Sequence, residues 1–258
     1  MIDRLSYSAV ETYLKCPRMF EYRYLWKQPR PVGGGLVQGK AYHAAIAAAL
    51  VQKLHTSQPL PLNETLDAYS HSFDLNMVKE LDEEFGAISE IDWGEREPGE
   101  WKDQGITLVK LYYRDCLPKL EPYLIEQRME TQVDAIPVVG YVDLVLKDGR
   151  TIDHKVVAKT WAEEDAHKDL QPSFYALLQR RPIDFEFHLA ITTKEPKLAV
   201  VTTKRDEEAI LWTEDLVCKV WALMQTGIFP PSPVGYWCSE KWCGHQEMCR
   251  REGARSYR

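Results

Sequence analysis

The stretch Gly140-Tyr141-Val142-Asp143-Leu144-Val145-Leu146 is followed, across Lys147-Asp148-Gly149-Arg150, by Thr151-Ile152-Asp153-His154-Lys155. Apolar and β-branched residues on either side of an Asp-Gly turn signal read as two strands of an antiparallel hairpin. Asp153 and Lys155 are two apart, so on a strand their side chains leave by the same face. A carboxylate pair can hold a divalent cation through oxygen, and such a cation activates water and offsets charge on a phosphoryl group. A lysine beside it would orient the water or counter developing negative charge. The same groups are equally compatible with an ion pair on an exposed hairpin face. Register separates the two readings. A two-residue loop at Asp148-Gly149 sets Asp143 opposite His154 and splits the acids between faces, whereas an odd loop with Gly149 in a bulge puts them together. We expect the odd loop, with Asp143 opposite Lys155.

Around this hairpin the hydrophobic period gives the other elements. Ser8 to Glu11 fits a capping box for a helical stretch Val10 to Trp26, interrupted at Cys16-Pro17, where Pro17 should begin a second piece. Residues 36–54 form a helix with Leu36, His43, Ala47, Leu50 and Leu54 on one face. A helix over roughly 64–84, a loop with Trp93, Pro98 and Trp101, and a helix over 103–120 follow. Strands are expected at 123–133, 136–146, 151–157, 183–193 and 197–203, with helices at 169–180 and 206–226. The fold class is therefore α/β: a mixed sheet flanked by helices, with an N-terminal helical region (1–120), a core (121–230) and a C-terminal cysteine segment (231–258) in one compact unit.

The chain has 258 residues, 45% apolar content and a net charge of −7, which excludes disorder and supports a sizeable core. Its longest apolar stretch, Ala44 to Val51, is far short of the ~20 residues a membrane span needs. With no visible signal peptide, a cytoplasmic location is expected, in a bacterial or phage-encoded setting. Residues 64–103 carry thirteen acids against three bases, while residues 1–40 carry seven Lys/Arg against three acids. One segment thus supplies the acidity, and a polyanion remains an acceptable substrate.

Read together and in order, five short motifs resemble the PD-(D/E)XK nuclease superfamily, in particular its RecB-like exonuclease branch. They are Ser8 to Phe20 with Tyr13 and Cys16-Pro17-Arg18, Gly39 to His43, Gly140 to Asp143, Asp153 to Lys155, and Gln171 to Tyr175. The resemblance implies a restriction-endonuclease-like fold in which His43, Asp143 and Asp153 ligate Mg²⁺ or Mn²⁺, Asp143, Asp153 and Lys155 are catalytic, and Gln171, Tyr175 and Arg18 meet DNA. Without it, His43 on its apolar helix face reads more often as a core histidine than as a ligand, and Gln171 and Tyr175 equally as helix packing. Glu126 and Glu130 are candidate extra acids. Pro172 must lie in the first turn of its helix.

Cys238, Cys243 and Cys249 stand among Trp and Gly and look like metal ligands on an irregular loop. Zinc is one reading, with His245 or a distant fourth cysteine, although the spacings are not the usual local pairs. Cys16 is the candidate fourth thiolate. The resemblance implies instead a 4Fe-4S cluster held by Cys16, Cys238, Cys243 and Cys249, tying both ends of the chain together. Cys116 and Cys218 read as buried and inert.

The resulting expectation is a metal-dependent deoxyribonuclease, an exonuclease on single-stranded or frayed DNA ends in recombination, repair, phage replication or CRISPR adaptation. Lys15, Arg18, Arg23, Arg30 and Lys40 would track the strand, and the acidic 64–103 segment would form a lid or a wall against duplex. With no phosphate-binding helicase motif, any helicase or recombination or CRISPR partner acts in trans. Two alternatives stand beside it: a non-catalytic DNA-binding or assembly subunit that keeps the fold, and a zinc-binding interaction protein.

Overall fold

The hairpin lies inside a five-stranded sheet in a computed structural model that describes residues 2–78, 81–82 and 86–255. In chain order the elements are α1 (Tyr7–Lys15), α2 (Pro17–Phe20), a π-helical turn (Glu21–Leu25), β1 (Arg30–Gly33), α3 (Gly34–Thr56), α4 (Leu62–Met77), β2 (Leu81–Asp82), β3 (Gly86–Asp92) and α5 (Pro98–Asp115). There follow β4 (Pro122–Val133), β5 (Ile136–Leu146), β6 (Thr151–Val157), α6 (Glu163–Lys168), α7 (Gln171–Gln179), β7 (Ile183–Ile191), β8 (Lys197–Arg205), α8 (Glu207–Gln225), α9 (Glu240–Cys243) and α10 (Gln246–Arg255). The large sheet runs β4-β5-β6-β7-β8 and is antiparallel except between β6 and β7, where α6 and α7 make the crossover that a parallel pair requires.

Each face of the sheet carries its own core. Val138, Val142, Phe185, Phe187 and Leu189 pack with residues of α1, α7 and α8, whereas Leu144, Leu146 and Ile152 pack with α3, α4 and α5. Val142 and Leu144 would share a face in a regular strand, yet they serve opposite cores. The pleat therefore breaks at Asp143. On the partner strand it breaks at Glu126, whose φ of +46° is a left-handed conformation that costs a side-chain-bearing residue about 1–3 kcal/mol.

Several expectations are corrected. Helix α1 is capped by Ser6, which accepts from the Ala9 N–H, and not by a box starting at Ser8. The helix expected over roughly 64–84 ends at Met77; residues 79–80 and 83–84 of that span lie outside the described residues. A small sheet of order β1-β3-β2 forms, with β1 parallel to β3 and with β2 inside the span expected as helix, where no strand was expected. β1 and β2 are too short to show a period, and the pairing partner of β3 lies far away in sequence. Leu54 is exposed, and the buried stripe of α3 runs instead through Ala41, Ala45, Ala49 and Lys53. Cys116 and Cys218 are only partly buried. Among the described residues, no helix is long and apolar enough to cross a membrane.

Candidate active site and metal centre

The loop after β5 has three residues, Lys147 to Gly149, with Gly149 at φ +91° and its N–H donating to the Leu146 carbonyl (3.0 Å). This is the odd loop, and Leu144 pairs with Ile152 and Val145 with Thr151. The register differs by two residues from expectation, since this ladder sets Asp143 level with Asp153, not with Lys155. The two strands part immediately afterwards. Asp143 Oδ2 takes the His154 backbone N–H (2.9 Å) in place of a ladder bond, so the two carboxylates line the opening between the strands.

Helices bring the remaining groups. From α3, His43 Nδ1 comes within 3.3 Å of Asp143 Oδ2 and 3.9 Å of Glu126 Oε1. From α7, Gln171 donates through Nε2 to Asp153 Oδ1 (2.7 Å) and accepts through Oε1 from Lys155 Nζ (2.7 Å). Lys155 Nζ also lies 2.8 Å from Asp153 Oδ2, and Tyr175 donates its hydroxyl to Asp153 Oδ1 (3.2 Å). Pro172 sits in the first turn of α7. Buried Arg205 donates to the carbonyls of Ala166, His167 and Asp169, and Asp169 Oδ1 caps the Gln171 N–H (2.8 Å). Gly140 lets α7 approach, because a Cβ there would meet Leu178 at 2.6 Å. Gln171 and Tyr175 are thus buried against the acids and hold them in place. Arg18 is not among them: it pairs with Glu21 beside the C-terminal cysteines.

Glu126 is the acid that the motifs did not select. It stands level with Asp143 on β4, while Glu130 pairs with Arg128 on an exposed face. A signal existed: a two-residue turn at Asp134-Ala135 pairs Val133 with Ile136 and carries Glu126 to Asp143 by counting back. His43, Glu126 and Asp143 offer ligand atoms within 4.8 Å of one another.

Crowding the acids has an electrostatic consequence. Glu126 is pushed up to about 7, first by burial and then by the Asp143 charge. Asp153 is pushed up to about 6 by burial, against the pull of Lys155, with Asp143 adding to the rise. For Asp143 burial acts upward too, but His43, the donor bond and ring of His154, and Lys155 together hold it down at about 2. A carboxyl raised in the fold supports folding below its unfolded value and loses that support as pH rises through its folded value. The metal-free site is thus stabilising near pH 4 and progressively less so up to about pH 7 through Glu126 and Asp153, while Asp143 loses its contribution only toward pH 2. A divalent cation reverses the penalty but must displace those protons at acid pH. Mn²⁺ should therefore raise the Tm more at about pH 8 than at about pH 5, where the protons of Glu126 and Asp153 must first be displaced. Paired thermal melts with Mn²⁺ and with EDTA measure this, and an equal gain at both pH values counts against it.

The cysteines come together from both ends. Cys16, at the junction of α1 and α2, is buried with Cys243, Met19 and Trp237. Cys238 is held by Gln246, which donates to its carbonyl (2.6 Å), and Cys249 lies on α10 within electrostatic reach of Cys16 and Cys238. Two of the C-terminal cysteines therefore sit on short helices and not in irregular loop. Burial raises the thiols of Cys243 and Cys249, and the guanidinium of Arg23 opposes this at Cys243.

A mixed sheet flanked by helices, with acids at a parting of strands and a lysine two residues on, defines a nuclease class of scaffold. The sequence model of the PD-(D/E)XK nuclease superfamily matches residues 4–250, and the chain belongs to that superfamily, whose members hydrolyse nucleic acid. A crystal structure of a protein from Eubacterium rectale, described as a "putative exonuclease", superposes over 92% of this chain and 87% of its own with a TM-score of 0.57. At 11% identity that likeness shows the fold. The structure of the protein SSO0001 aligns over 96% of this chain and 86% of its own at 14% identity, with a TM-score of 0.41 that supports no argument. No curated protein sequence matches the chain.

Proposed function

We propose that the protein is a metal-dependent deoxyribonuclease of the RecB-like branch that digests single-stranded or frayed DNA from its ends. The observation that carries the reading is the acidic cluster at the parting of β5 and β6, with Lys155 tethered beside it. The Asp143 charge raises the protonation of Glu126 and Asp153 beside it, and a hard divalent cation relieves that repulsion. His43, Asp143 and Asp153, with Glu126 added, would hold Mg²⁺ or Mn²⁺, and the imidazole favours tolerance of Mn²⁺. When bound, the cation supplies an activated water and offsets charge on phosphoryl oxygen. Lys155, its amine fixed by Asp153 and Gln171, would orient the attacking water or offset negative charge developing on the phosphoryl oxygens. Tyr175 and Gln171 keep the Asp153 carboxylate turned toward that amine.

For the four cysteines, Cys16 from one end of the chain and Cys238, Cys243 and Cys249 from the other, the reading is an iron-sulfur cluster, with zinc as the alternative. The segments 1–120, 121–230 and 231–258 would then work as one unit, with the acidic 64–103 stretch repelling duplex. Such an enzyme would serve recombination, repair, phage replication or CRISPR adaptation in a bacterial cytoplasm, with any helicase acting in trans. Intact Asp143, Asp153 and Lys155 argue against a non-catalytic subunit.

The test is end-labelled linear DNA beside circular DNA, single- and double-stranded, with Mg²⁺ or Mn²⁺. Linear single strands should disappear while single-stranded circles persist. Cleavage of the circles would overturn the end-dependent reading, and no cleavage of any DNA with either metal would overturn the nuclease itself.

A further inference from the structure

The stretch Gly39 to His43 brings a histidine to the acidic cluster, but nothing above uses its glycine. Gly39 lies in the second turn of α3, in regular helical backbone with no positive φ. Inside a helix glycine is less favourable than any residue but proline, because it gives up the most backbone freedom on folding. Close packing explains other glycines of this fold. At Gly105 of α5 a Cβ would meet the Tyr69 hydroxyl at 1.8 Å, and at Gly34, where α3 begins, it would meet the Trp93 ring at 2.6 Å. Gly39 has no such reason. A Cβ built on it would meet no atom within 4 Å, although the residue is only partly exposed, so the empty space lies in a recess of the surface.

The place of that recess points to what fills it. Gly39 and His43 are four residues apart, one turn from each other along the same side of α3. The imidazole of His43 reaches Asp143 and Glu126. Of the groups gathered there, the side chains of Glu126 (42% exposed), His43 (31%) and Lys155 (29%) face water, whereas those of Asp143 (10%) and Asp153 (2%) are covered. A substrate must therefore approach the acids from the exposed side, which His43 and Glu126 share with Gly39. Lys40, next along α3, stands within electrostatic reach of Glu126 and puts positive charge on the same rim. Such a rim suits a polyanionic backbone.

We infer that the sugar-phosphate backbone of the substrate strand passes α3 at Gly39 in van der Waals contact, the missing side chain leaving the room that lets a phosphodiester reach the acids. This rests on the nuclease reading given above. Glycine is the residue that permits such close approach of a ligand to a helix backbone. A methyl group at this position disturbs nothing in the protein and meets only the strand. Stability and turnover therefore respond to it with opposite signs.

The experiment compares Gly39→Ala and Gly39→Leu with wild type by thermal unfolding, by steady-state digestion of single-stranded DNA with Mn²⁺, and by Mn²⁺ titration followed by electron paramagnetic resonance without DNA. Gly39→Ala should raise the Tm by about 2–4 °C, since alanine is the best helix former and its methyl has space. Its kcat/KM should fall about tenfold, chiefly through KM, as expected for a methyl group forced into a space the strand occupies. Gly39→Leu should lose more, and both variants should bind Mn²⁺ as wild type does. A lowered Tm in Gly39→Ala would make the glycine a packing residue, weakened Mn²⁺ binding would trace the loss to the metal centre, and unchanged kcat/KM in both variants would leave the recess unused. Each of these results overturns the inference and leaves the nuclease standing. A wild-type protein that cuts no DNA would overturn the nuclease reading, and this inference with it.

Discussion

Asp153→Asn should lower DNA cleavage by about 10³-fold or more while the protein keeps its fold. The side chain is 1% exposed and accepts from Gln171 and Tyr175 through one oxygen while the other faces Lys155. An amide of the same shape keeps the acceptor oxygen, so the packing against α7 survives. It removes the negative charge that a cation and the Lys155 amine both require. Two effects on stability oppose each other. The substitution relieves a buried charge that burial and Asp143 already disfavour, and it takes one anionic partner from Lys155, which keeps Gln171 and a side chain 29% exposed to water. The net change should be within about 1 kcal/mol, a Tm shift of roughly 2–4 °C. Cleavage assays beside thermal unfolding measure both. Undiminished cleavage by the folded variant would remove Asp153 from the catalytic assignment.

On the proposed iron-sulfur cluster, Cys243→Ser should lose iron and broad visible absorption under anaerobic purification and lower the Tm by about 10 °C or more. Cys16 and Cys243 lie in one buried group although more than two hundred residues separate them. A link closing so long a loop removes a large share of unfolded-chain entropy, about 5 kcal/mol in the loop-closure picture. Cys16→Ser should reproduce the loss from the other end of the chain. Cys218→Ser is the control, because that thiol lies on α8 and donates to Asp134, away from the group. A colourless wild-type protein carrying stoichiometric zinc would put zinc in place of the cluster, and a metal-free protein of unchanged stability would leave the cysteines without a joint role.

Much of the large sheet was legible because its signals are local. Alternation and the Asp148-Gly149 turn marked β5 and β6, and the expected odd loop is present because glycine reaches the φ of +91° that such a turn needs. The spacing of Asp153 and Lys155 placed both on one face, where they now pair. The helix junction at Cys16-Pro17 followed from the proline ring. The misses have equally physical causes. The break of pleat at Asp143 and Glu126 has no local signature, since it is imposed by two cores that pull Val142 and Leu144 to opposite faces. The β1-β3-β2 sheet pairs β3 with a four-residue strand about sixty residues away, a partnership that no local pattern announces.

The linear chain by itself determined the hairpin, the acid and amine on one strand face, and the family's order of motifs, because turn chemistry and side-chain alternation act over a few residues. Only the tertiary structure decided that Glu126 joins His43 and Asp143, that Gln171 bridges Asp153 and Lys155, and that the two ends of the chain bring their cysteines together. Those contacts join residues far apart in sequence, and they depend on how whole helices and strands pack and not on the preferences of any single segment.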